Sequence, residues 1–445
     1  MHERKVLVFG EVFIDTHLDI IDKNGPLVRL GGIFHSARAF DSLGIDYALA
    51  YYAPDYLDED INQWALYLHT RSCCKIGKIN KAPNVMLVNE SKEAGDQGYY
   101  NILKDQAEYI DTDDINSVIK SVNPTDILLY PGRYDVSKLM SALHEFKGKI
   151  HIDFHYDSEN ILEKIEQEIE TVILSTSSEF FKMKCQGTTK GLIEYFSMYK
   201  VKQILLKENR GGSCCYIPKD RIMHESASYY VPTMHSVGVG DVYNSIFISQ
   251  LFGKDISKTM RLAALCASKY AETMSYEKYK ENAQLMLAHI NELSELVGIR
   301  LPWETRKGIN IYLAAPDFPD VNTKILDRLY ESLLYHNFNP RLPVRENGVC
   351  SKEISLHDEL DIYQKDVALL NDCALLIAVL LYNDPGTLVE LGMFKQTGKP
   401  TIIFDPFNCC DNMFARNTPD YLCKTVADVI GAVYLCAGRI GYDNI

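Results

Sequence analysis

Two carboxylates mark the ends of the segment Asp-Pro-Gly-Thr-Leu-Val-Glu at 384–390, and the Glu is expected one turn into a helix. The apolar run 374–381 before it predicts a buried strand, and residues 387–397 predict a helix. The acidic turn is therefore expected at the carboxyl end of a strand, where open α/β sheets bind ligands. This position indicates that Asp384 and Glu390 act on a bound ligand.

Two further loops are expected at the same edge of this sheet, because each follows a predicted strand. They supply acidic, amide and aromatic groups, namely Asp317 and Phe318 in 316–320, and Asn412 and Met413 in 405–413. Asp366 and Asp372 flank the end of the helix before strand 374–381. These side chains are predicted to surround one crevice.

A cluster of carboxylates without basic neighbours suits the cleavage of a glycosidic bond. Mutual repulsion raises some pKa values in such a cluster, so one carboxyl group can stay protonated while another acts as a nucleophile. The nucleophile attacks the anomeric carbon, and the acid assists the leaving group.

A purely structural interpretation competes with this chemistry. Thr387 and Glu390 have the spacing of a helix capping box, and 384–386 is a good turn by itself. Asp366 and Asp372 would then be solvated charges at a helix end.

A second candidate site is Gly238-Val239-Gly240-Asp241, directly before the apolar helix 242–252. Glycines at a helix start present N–H groups to an anion, and the helix dipole adds to the attraction. An Asp there can accept the proton of a hydroxyl that attacks a phosphate. The structural alternative is a turn whose Asp caps the helix.

Alternating residues of one strand form a weaker pattern, His151, Asp153, His155 and Asp157. Such residues share a strand face and resemble a metal site. A strand end at a ligand cleft explains the pattern as well.

The elements that must position these residues alternate strand and helix over the first 300 residues. Strands are predicted at 6–9, 127–130, 150–154, 172–174 and 204–207, and helices at 113–123, 137–147, 158–169 and 188–199. This alternation predicts a largely parallel sheet. Residues 242–297 are predicted to be almost wholly helical, which completes a domain at 1–297.

A break in periodicity at 298–308, with Pro302 and a glycine at each end, predicts a linker. A second domain is predicted at 309–445. Its strands are expected at 309–315, 341–344, 374–381 and 400–404, and its helices at 322–336, 358–371, 387–397 and 425–437. This is the pattern of a small doubly wound parallel sheet.

Composition narrows the class of protein. A chain of 445 residues predicts two or three domains. The net charge of -14 argues against a nucleic-acid backbone as partner. No apolar run is long enough to span a bilayer and no secretion signal precedes the first strand, so a cytoplasmic protein with its 12 cysteines reduced is expected.

Five motifs in the C-terminal part, in this order, resemble the nucleoside 2-deoxyribosyltransferase family. They are Ile-Tyr-Leu-Ala-Ala-Pro at 311–316, the spaced Asp366 and Asp372, Asp-x-Gly-Thr-x-x-Glu-Leu-Gly at 384–392, Gly-Lys-Pro at 398–400, and Asn412-Met413. Ala315 departs from the family pattern, which usually has Gly there, and its Cβ narrows the approach to a ligand.

The resemblance implies that Glu390 is the nucleophile of a covalent deoxyribosyl intermediate and that Tyr312 holds this carboxylate. Asp372 and Asp384 would contact the base or sugar, and one would handle the base proton. Asn412 would bind sugar hydroxyls, in a homo-oligomer whose subunits share sites. No cofactor is implied, and transfer to a base and hydrolysis both remain open. The pocket would also include Asp317, Phe318, Gly386, Thr387 and Met413.

The N-terminal part resembles the ribokinase-like family of sugar and nucleoside kinases, a three-layer α/β fold. The matching residues are Leu30-Gly31-Gly32, the stretch 37–44, Lys-Glu-Asn-Arg-Gly-Gly at 207–212, and Gly238 to Asp241. The resemblance implies ATP and Mg²⁺ as cofactors. Asp241 would be the catalytic base, with Gly238, Val239 and Gly240 as the anion hole.

The same resemblance assigns further residues. It places Asp15, Gly31 and Gly32 at the sugar, Lys207 and Gly211 at ATP, and Glu179 at the waters of Mg²⁺. Three departures are visible: His35 and Ser36 stand where the family has Asn, Thr176 begins the motif that usually starts with Asn, and Ser236 is the nearest hydroxyl before Gly238.

These observations predict a bifunctional enzyme of nucleoside metabolism. One domain would break or exchange N-glycosidic bonds, and the other would phosphorylate a nucleoside or sugar. The alternative is an N-terminal ligand sensor without turnover that controls a C-terminal glycosidase. The expected partners are nucleosides, nucleotides, free bases or pentoses, not nucleic acids or membranes.

Overall fold

The computed structural model describes residues 4–22, 25–95, 100–112, 114–154, 161–165, 167–349 and 355–443. The chain forms two compact units. The first contains Met1–Lys92 and Gln97–Arg300, and the second contains Glu93–Asp96 and Leu301–Ile445.

The strands of the first unit fall into a large and a small sheet. They are β1 Lys5–Glu11, β2 Ile14–Asp22, β3 Gly25–Leu30, β4 Asp46–Ala53, β5 Cys73–Asn80, β6 Val85–Val88, β7 Tyr100–Asn101, β8 Glu108–Asp111, β9 Asp126–Leu129, β10 Lys149–Asp153, β11 Ile169–Ser175, β12 Val201–Lys207, β13 Ser213–Ile217 and β14 Ile222–Ser226.

The helices of this unit lie mainly between strands and at its end. They are α1 Ile33–Ser42, α2 Asp58–Tyr67, α3 Ile115–Val122, α4 Val136–Leu143, α5 Ile161–Lys164, α6 Glu179–Lys184, α7 Thr189–Phe196, α8 Val239–Ser249, α9 Ile256–Ala271 and α10 Tyr276–Ala288.

The large sheet has the order β14-β13-β12-β11-β10-β9-β1-β4-β5-β8. The seven strands from β12 to β5 are parallel, and β8, β13 and β14 add antiparallel edges. Central strands such as β1 and β4 are buried almost throughout, as parallel strands covered on both faces require. Helices α1, α8, α9 and α10 contribute to the core on one side.

The small sheet has the order β3-β2-β6-β7 and was not predicted from the sequence. Its strands are half exposed, so they lack the continuous apolar runs that mark the large sheet. It brings Asp15 on β2 next to the Gly31-Gly32 turn that precedes α1.

The second unit contains five strands and seven helices among the described residues. They are, in chain order, α11 Trp303–Arg306, β15 Asn310–Ala314, α12 Lys324–Tyr335, β16 Asn339–Arg341, α13 Pro343–Asn347, α14 Leu356–Asp372, β17 Leu375–Val379, α15 Pro385–Lys395, β18 Thr401–Phe404, α16 Met413–Asn417, β19 Tyr421–Cys423 and α17 Val426–Asp443.

The sheet of the second unit is wholly parallel, in the order β16-β15-β17-β18-β19. After β15 the chain forms β16 on one side of that strand, and it then forms β17, β18 and β19 on the other side. Right-handed crossovers therefore place α12 on one face and α14 and α15 on the other. The direction reverses between β15 and β17, which is where an open sheet of this order binds ligands.

The segment 298–308, predicted as a linker, is divided between the two units. Ile299 pairs with Ser228 in the first unit. In the second unit Arg306 is fully buried, although it lies only two residues before Gly308.

Some predicted element bounds differ from the structure for local reasons. The helix predicted at 158–169 is present only as α5 within its described part, because the β-branched run from Ile169 forms β11. The strand predicted at 341–344 ends at Arg341, since Pro343 starts α13. Helix α16 and strand β19 were not predicted. Within the described residues, none of the helices combines the length and apolar character needed to cross a bilayer.

Candidate functional sites

The first site lies in the second unit, at the carboxyl ends of β15 and β17. Tyr312 is on β15, on the face that α14 and α15 cover, and its ring is fully buried. Glu390 is on α15, which follows β17. The two strands are neighbours in register, Tyr312 beside Leu376, so α15 carries Glu390 back over β15.

Tyr312 and Glu390 form a direct hydrogen bond. The Tyr312 hydroxyl donates to Oε1 of Glu390 at 2.7 Å. Burial and the Glu390 charge raise the pKa of Tyr312, so its hydroxyl keeps its proton and remains a donor. This bond orients one carboxylate oxygen and leaves the other for a ligand.

Glu390 is poised between its protonated and ionised forms. Burial raises its pKa to about 7, with smaller contributions from the negative charges of Asp366 and Asp384, and the Tyr312 hydrogen bond opposes the rise. A carboxyl group near its pKa at neutral pH is typical of an active site. The predicted mutual repulsion of carboxylates is therefore present around Glu390.

Asp384 stabilises the start of α15, whether or not it also contacts a ligand. It is the N-cap of α15, and its Oδ2 accepts hydrogen bonds from the amide and hydroxyl of Thr387 at 2.7 and 2.9 Å. Pro385 follows at the first helical position, where its missing N–H costs nothing. The capping-box alternative is wrong, because the Thr387 amide is bonded to Asp384 and Glu390 is bonded to Tyr312.

The prediction that Asp372 joins this crevice is also wrong. Asp372 ends α14 at the amino edge of the sheet, where it accepts a hydrogen bond from Asn310 at 2.7 Å and lies 3.8 Å from Arg341. Asp366, also on α14, is the residue whose charge acts on Glu390. Burial raises the pKa of Asp366, against the effect of a 2.8 Å hydrogen bond from Asn347.

In the loop after β15, the carboxylate of Asp317 is paired with an arginine. Asp317 accepts a hydrogen bond from Nε of Arg345 at 2.7 Å and a second from its Nη2 at 3.2 Å. Asp317 therefore has a basic neighbour, contrary to the prediction of carboxylates without basic neighbours. Phe318 follows in the same loop and is half-buried.

The third loop is folded by a buried aspartate. Asp405 accepts hydrogen bonds from the amides of Cys409 and Cys410, and from Lys424 at 2.6 Å. Asn412 then caps α16, with Oδ1 accepting from the Phe414 amide at 2.8 Å. Asn412 itself is exposed.

The exposed residues around α16 are apolar as well as polar. Met413 is 63% exposed and Phe414 75% exposed. Gly386 and Thr387 lie at the start of α15, and a Cβ at Gly386 would lie 3.1 Å from the Asp384 carboxylate. The structure thus places Gly386, Thr387 and Asp384 together with Glu390.

The second site lies in the first unit, where α8 begins. Gly238 is the N-cap of α8 with φ 75°, and a Cβ there would lie 2.2 Å from the ring of His35. A Cβ at Gly240 would lie 3.3 Å from Nζ of Lys207. Val239 is the first residue of the helix. Glycine is therefore needed at 238 for conformation and space.

Asp241 lies in the first turn of α8. Burial raises its pKa to about 7; Lys207 opposes the rise, while Asp153 and Asp15 add to it. Asp241 therefore has the protonation behaviour of a general base at neutral pH.

Three neighbouring strands end at this site with polar groups. Lys207 on β12 forms an ion pair with Asp153 on β10 at 3.1 Å, and Asn244 on α8 donates a hydrogen bond to the same oxygen. The other oxygen of Asp153, the Thr176 hydroxyl and the Asn244 carbonyl are buried without a hydrogen-bond partner. Buried polar atoms without partners are rare and indicate room for a bound ion, water or ligand.

The loop 207–212 is anchored within the first unit. Arg300 donates to the Gly211 carbonyl at 3.1 Å and pairs with the buried Glu208. Glu179, at the start of α6, is exposed, so its predicted role at Mg²⁺ stays a prediction.

Asp15 is enclosed by its surroundings. It is 3% exposed, and a Cβ at Gly31 would lie 2.2 Å from both of its carboxylate oxygens. Nε2 of His35 lies 3.0 Å from Oδ2 of Asp15. Gly32, with φ 60°, starts α1 and leaves no space for a Cβ against the Glu11 carbonyl.

The alternating pattern at 151–157 does not form a metal site in its described part. His151 is buried between Thr171 and Asp126, at 2.9 and 3.2 Å. Asp153 is bonded to Lys207, whereas His155 and Asp157 lie outside the described residues. Among the described side chains, no group of three His, Cys, Asp or Glu residues is arranged to hold a metal ion.

Comparison with known families locates the first site within a family match. Residues 311–416 match the family model described as nucleoside 2-deoxyribosyltransferase. The match runs from β15 into α16 and contains both Tyr312 and Glu390. The predicted resemblance of the C-terminal part is confirmed.

Solved structures match the first unit. A fructokinase with bound ATP from Xylella fastidiosa aligns with a TM-score of 0.50 and 14% identity, covering 66% of this chain and 100% of that one. Phosphofructokinase-2 from Escherichia coli in complex with potassium aligns with a TM-score of 0.50 and 14% identity, covering 65% and 99%. At this identity the likeness shows the ribokinase-like fold alone, and it confirms the predicted fold class. None of the curated proteins searched matches the chain.

Proposed function

We propose that the second unit cleaves the N-glycosidic bond of a nucleoside or nucleotide, or exchanges its base, through a covalent intermediate on Glu390. The observation that carries the proposal is the 2.7 Å hydrogen bond from Tyr312 to Glu390 at the reversal point of the sheet. The family match over 311–416 supports the same chemistry.

The reaction proceeds in two displacements. In the first, a Glu390 carboxylate oxygen attacks the anomeric carbon and the bond from that carbon to the base nitrogen breaks. The electron pair leaves with the base, which must gain a proton. In the second, a base nitrogen or water attacks the same carbon and releases Glu390 as the carboxylate.

Asp366 is the proposed source of the proton for the departing base. Burial raises the pKa of Asp366, and its repulsion with Glu390 means that ionisation of either carboxyl group favours retention of a proton by the other. Asp384 is proposed to contact the sugar or base with the oxygen that does not cap α15. Asp366 therefore replaces Asp372 as the acid in the proposal.

Asn412, with Met413, is proposed to complete the site of a second copy of the chain. Asn412 is exposed, and the next two residues of the chain, Met413 and Phe414, are exposed apolar residues. Exposed apolar groups of this kind are typical of an interface. Asp317 and Phe318 are proposed to border the base.

The experiment that tests the proposal is an incubation of the protein with ribonucleosides, 2′-deoxyribonucleosides and their monophosphates. Chromatography follows the base released, with and without a second free base. Release without the second base indicates hydrolysis, and a new nucleoside indicates transfer. The absence of both from the whole panel would contradict the proposal.

For the first unit we propose a site for ATP and Mg²⁺ at the start of α8. The residues fit such ligands, because Gly238 and Gly240 place no side chain over the helix start and Lys207 adds a positive charge beside Gly240. The partnerless oxygens of Asp153 and Thr176 are acceptors suited to the water shell of a cation. ATP would supply the phosphoryl group, and Gly211 and Glu179 are proposed to border it.

Two functions remain for this site, kinase and sensor. In a kinase Asp241 would accept the proton of the acceptor hydroxyl, with Asp15, Gly31 and Gly32 around the sugar. The enclosure of Asp15 by His35 favours a sensor that binds nucleotide without turnover.

Asp241→Ala separates the two functions. In a kinase, ATP consumption should fall by at least about 10²-fold, as expected for loss of a general base. In a sensor, no acceptor-dependent ATP consumption should exist to lose. ADP release measured with wild type and variant decides between them, with Mg²⁺–ATP binding by titration as the check that the site is intact.

A further inference from the structure

His35 occupies the space between the enclosed carboxylate of Asp15 and the start of α8. Its Nε2 lies 3.0 Å from Asp15, and a Cβ at Gly238 would lie 2.2 Å from its ring. Only glycine at 238 leaves room for this ring. The imidazole therefore lies against Asp15 on one side and against Gly238, at the start of α8, on the other.

The imidazole is held in this position from a third direction. Nδ1 of His35 lies 2.8 Å from the hydroxyl of Tyr270, and the residue is 2% exposed. Burial lowers the pKa of His35 to about 4. The ring is therefore neutral at physiological pH, with Nε2–H directed to Asp15 and Nδ1 accepting from Tyr270.

The surroundings of Asp15 leave no space for a hydroxyl while His35 stays in place. Nε of Arg29 lies 3.9 Å from Oδ2 of Asp15. Asp15 is only 3% exposed, because Gly31 lies against both carboxylate oxygens and Nε2 of His35 lies 3.0 Å from Oδ2. Nε of Arg29 is buried without a hydrogen-bond partner. A sugar hydroxyl could bind Oδ2 of Asp15 only if the His35 ring moved away from that oxygen.

The opposite half of the site is more accessible. Gly240 and Asp241 are half-buried rather than buried, and Lys207 reaches the edge of the glycine turn. An anion can approach the helix start without displacing His35.

We propose that His35 determines the specificity of the N-terminal site by excluding sugar hydroxyls from Asp15, so that the unit binds a nucleoside triphosphate but no pentose or nucleoside acceptor. The inference rests on the proposed nucleotide site and names what that site rejects. A hydroxyl that binds Asp15 must displace the His35 ring, whose Nε2 lies 3.0 Å from Oδ2 of Asp15.

The test is the His35→Ala variant. Ribose, 2-deoxyribose and adenosine are titrated calorimetrically into wild type and variant without ATP, so that the result does not depend on nucleotide binding. We expect no detectable binding of these compounds by wild type. His35→Ala should bind one or more of them with a dissociation constant about tenfold or more below the detection limit for wild type. Asp15→Asn in the His35→Ala background should remove the gain.

A second variant, Tyr270→Phe, tests the proposal if His35→Ala does not fold. Tyr270→Phe keeps the ring that packs against His35 and removes only the hydroxyl that fixes Nδ1, so a smaller gain in sugar binding is expected. Thermal unfolding shows which variants are folded. Binding of a sugar by wild type as tight as by His35→Ala, or no binding by any folded variant, would overturn the proposal.

A separate titration with Mg²⁺–ATP tests the underlying function. Wild type that fails to bind Mg²⁺–ATP would contradict the proposed nucleotide site. Gain of sugar binding in His35→Ala would still stand in that case, so the two failures are distinguishable.

Discussion

The proton on Glu390 controls the chemistry proposed for the second unit, because only the ionised carboxylate is a nucleophile. With a pKa of about 7, Glu390 becomes ionised as the pH rises through neutrality. Activity should therefore rise over this range. The acid limb of the pH profile should report the pKa of Glu390 in the free protein when kcat/KM is measured.

Asp366→Asn tests the role of the neighbouring carboxyl group. Removing its negative charge should lower the pKa of Glu390 and move the acid limb to lower pH. Loss of the proposed acid should also lower the rate of base release by about 10²-fold or more. The measurement is kcat/KM for base release between pH 5 and 9, a range chosen to bracket neutrality.

Asp372→Asn is the matched control on the same helix. Asp372 is 64% exposed in its side chain and bonded to Asn310, so the rate and the acid limb should stay at wild-type values. If Asp372→Asn moved the acid limb and Asp366→Asn did not, the corrected assignment would be wrong.

The sequence predicts both aspartates at the crevice, but only Asp366 lies near Glu390, for a physical reason. An α-helix rotates by about 100° per residue. Six residues place Asp366 and Asp372 about 120° apart around the axis, and α14 also ends at the amino edge of the sheet. Helical phase alone therefore separates the two carboxylates and excludes Asp372 from the crevice that Asp366 faces.

At the scale of elements, α15 is positioned by interactions that the sequence shows well. Asp384 as N-cap and Pro385 at the first position fix its start. The bond from Tyr312 to Glu390 is different, because the residues are 78 positions apart. Only the register of β15 with β17 brings them together, and a single sequence does not specify that register.

The small sheet and the short α16–β19 segment were not predictable for a related reason. Their residues are half exposed and their strands are short, so hydrophobic periodicity gives little signal. In the segment 298–308, Pro302 and two glycines predict a loop, whereas the burial of Arg306 involves its contact with Tyr434 on α17.

Arg306→Met tests whether this segment is part of the second unit. Arg306 donates to the Leu301 carbonyl at 3.0 and 2.9 Å and to the Tyr434 hydroxyl at 2.8 Å. Leaving these buried acceptors without a donor should cost about 1–3 kcal/mol of stability. Lys307→Met, at an exposed neighbour, should cost less than about 0.5 kcal/mol.

Denaturant unfolding of the full chain, followed by a probe of the second unit, measures both changes. A flexible linker would tolerate the two substitutions equally. Equal stability of Arg306→Met and Lys307→Met would therefore show that the segment does not stabilise the unit.

At the scale of the whole molecule, the chain joins a ribokinase-like unit to a nucleoside 2-deoxyribosyltransferase-like unit. Both candidate sites pair a carboxyl group of raised pKa with a glycine-containing helix start. The net charge of -14 fits small ligands held in pockets rather than on a basic surface. Tethering raises the local concentration of any metabolite that the units share.

The two units differ in how accessible the carboxylates of their candidate sites are to a ligand. In the second unit Glu390 has one oxygen free for a ligand. In the first unit the carboxylate that would hold a sugar is enclosed by His35. The proposed role of Glu390 as the nucleophile can therefore be tested without reference to the first unit.

The most direct measurement is base release by Glu390→Gln, compared with Glu359→Gln at an exposed position of α14. The glutamine keeps the size and the Tyr312 contact but removes the nucleophilic charge. We predict that Glu390→Gln lowers both hydrolysis and base exchange by at least about 10³-fold, whereas Glu359→Gln retains wild-type rates. Base release by Glu390→Gln at a rate close to that of Glu359→Gln would contradict the assignment of Glu390 as the nucleophile.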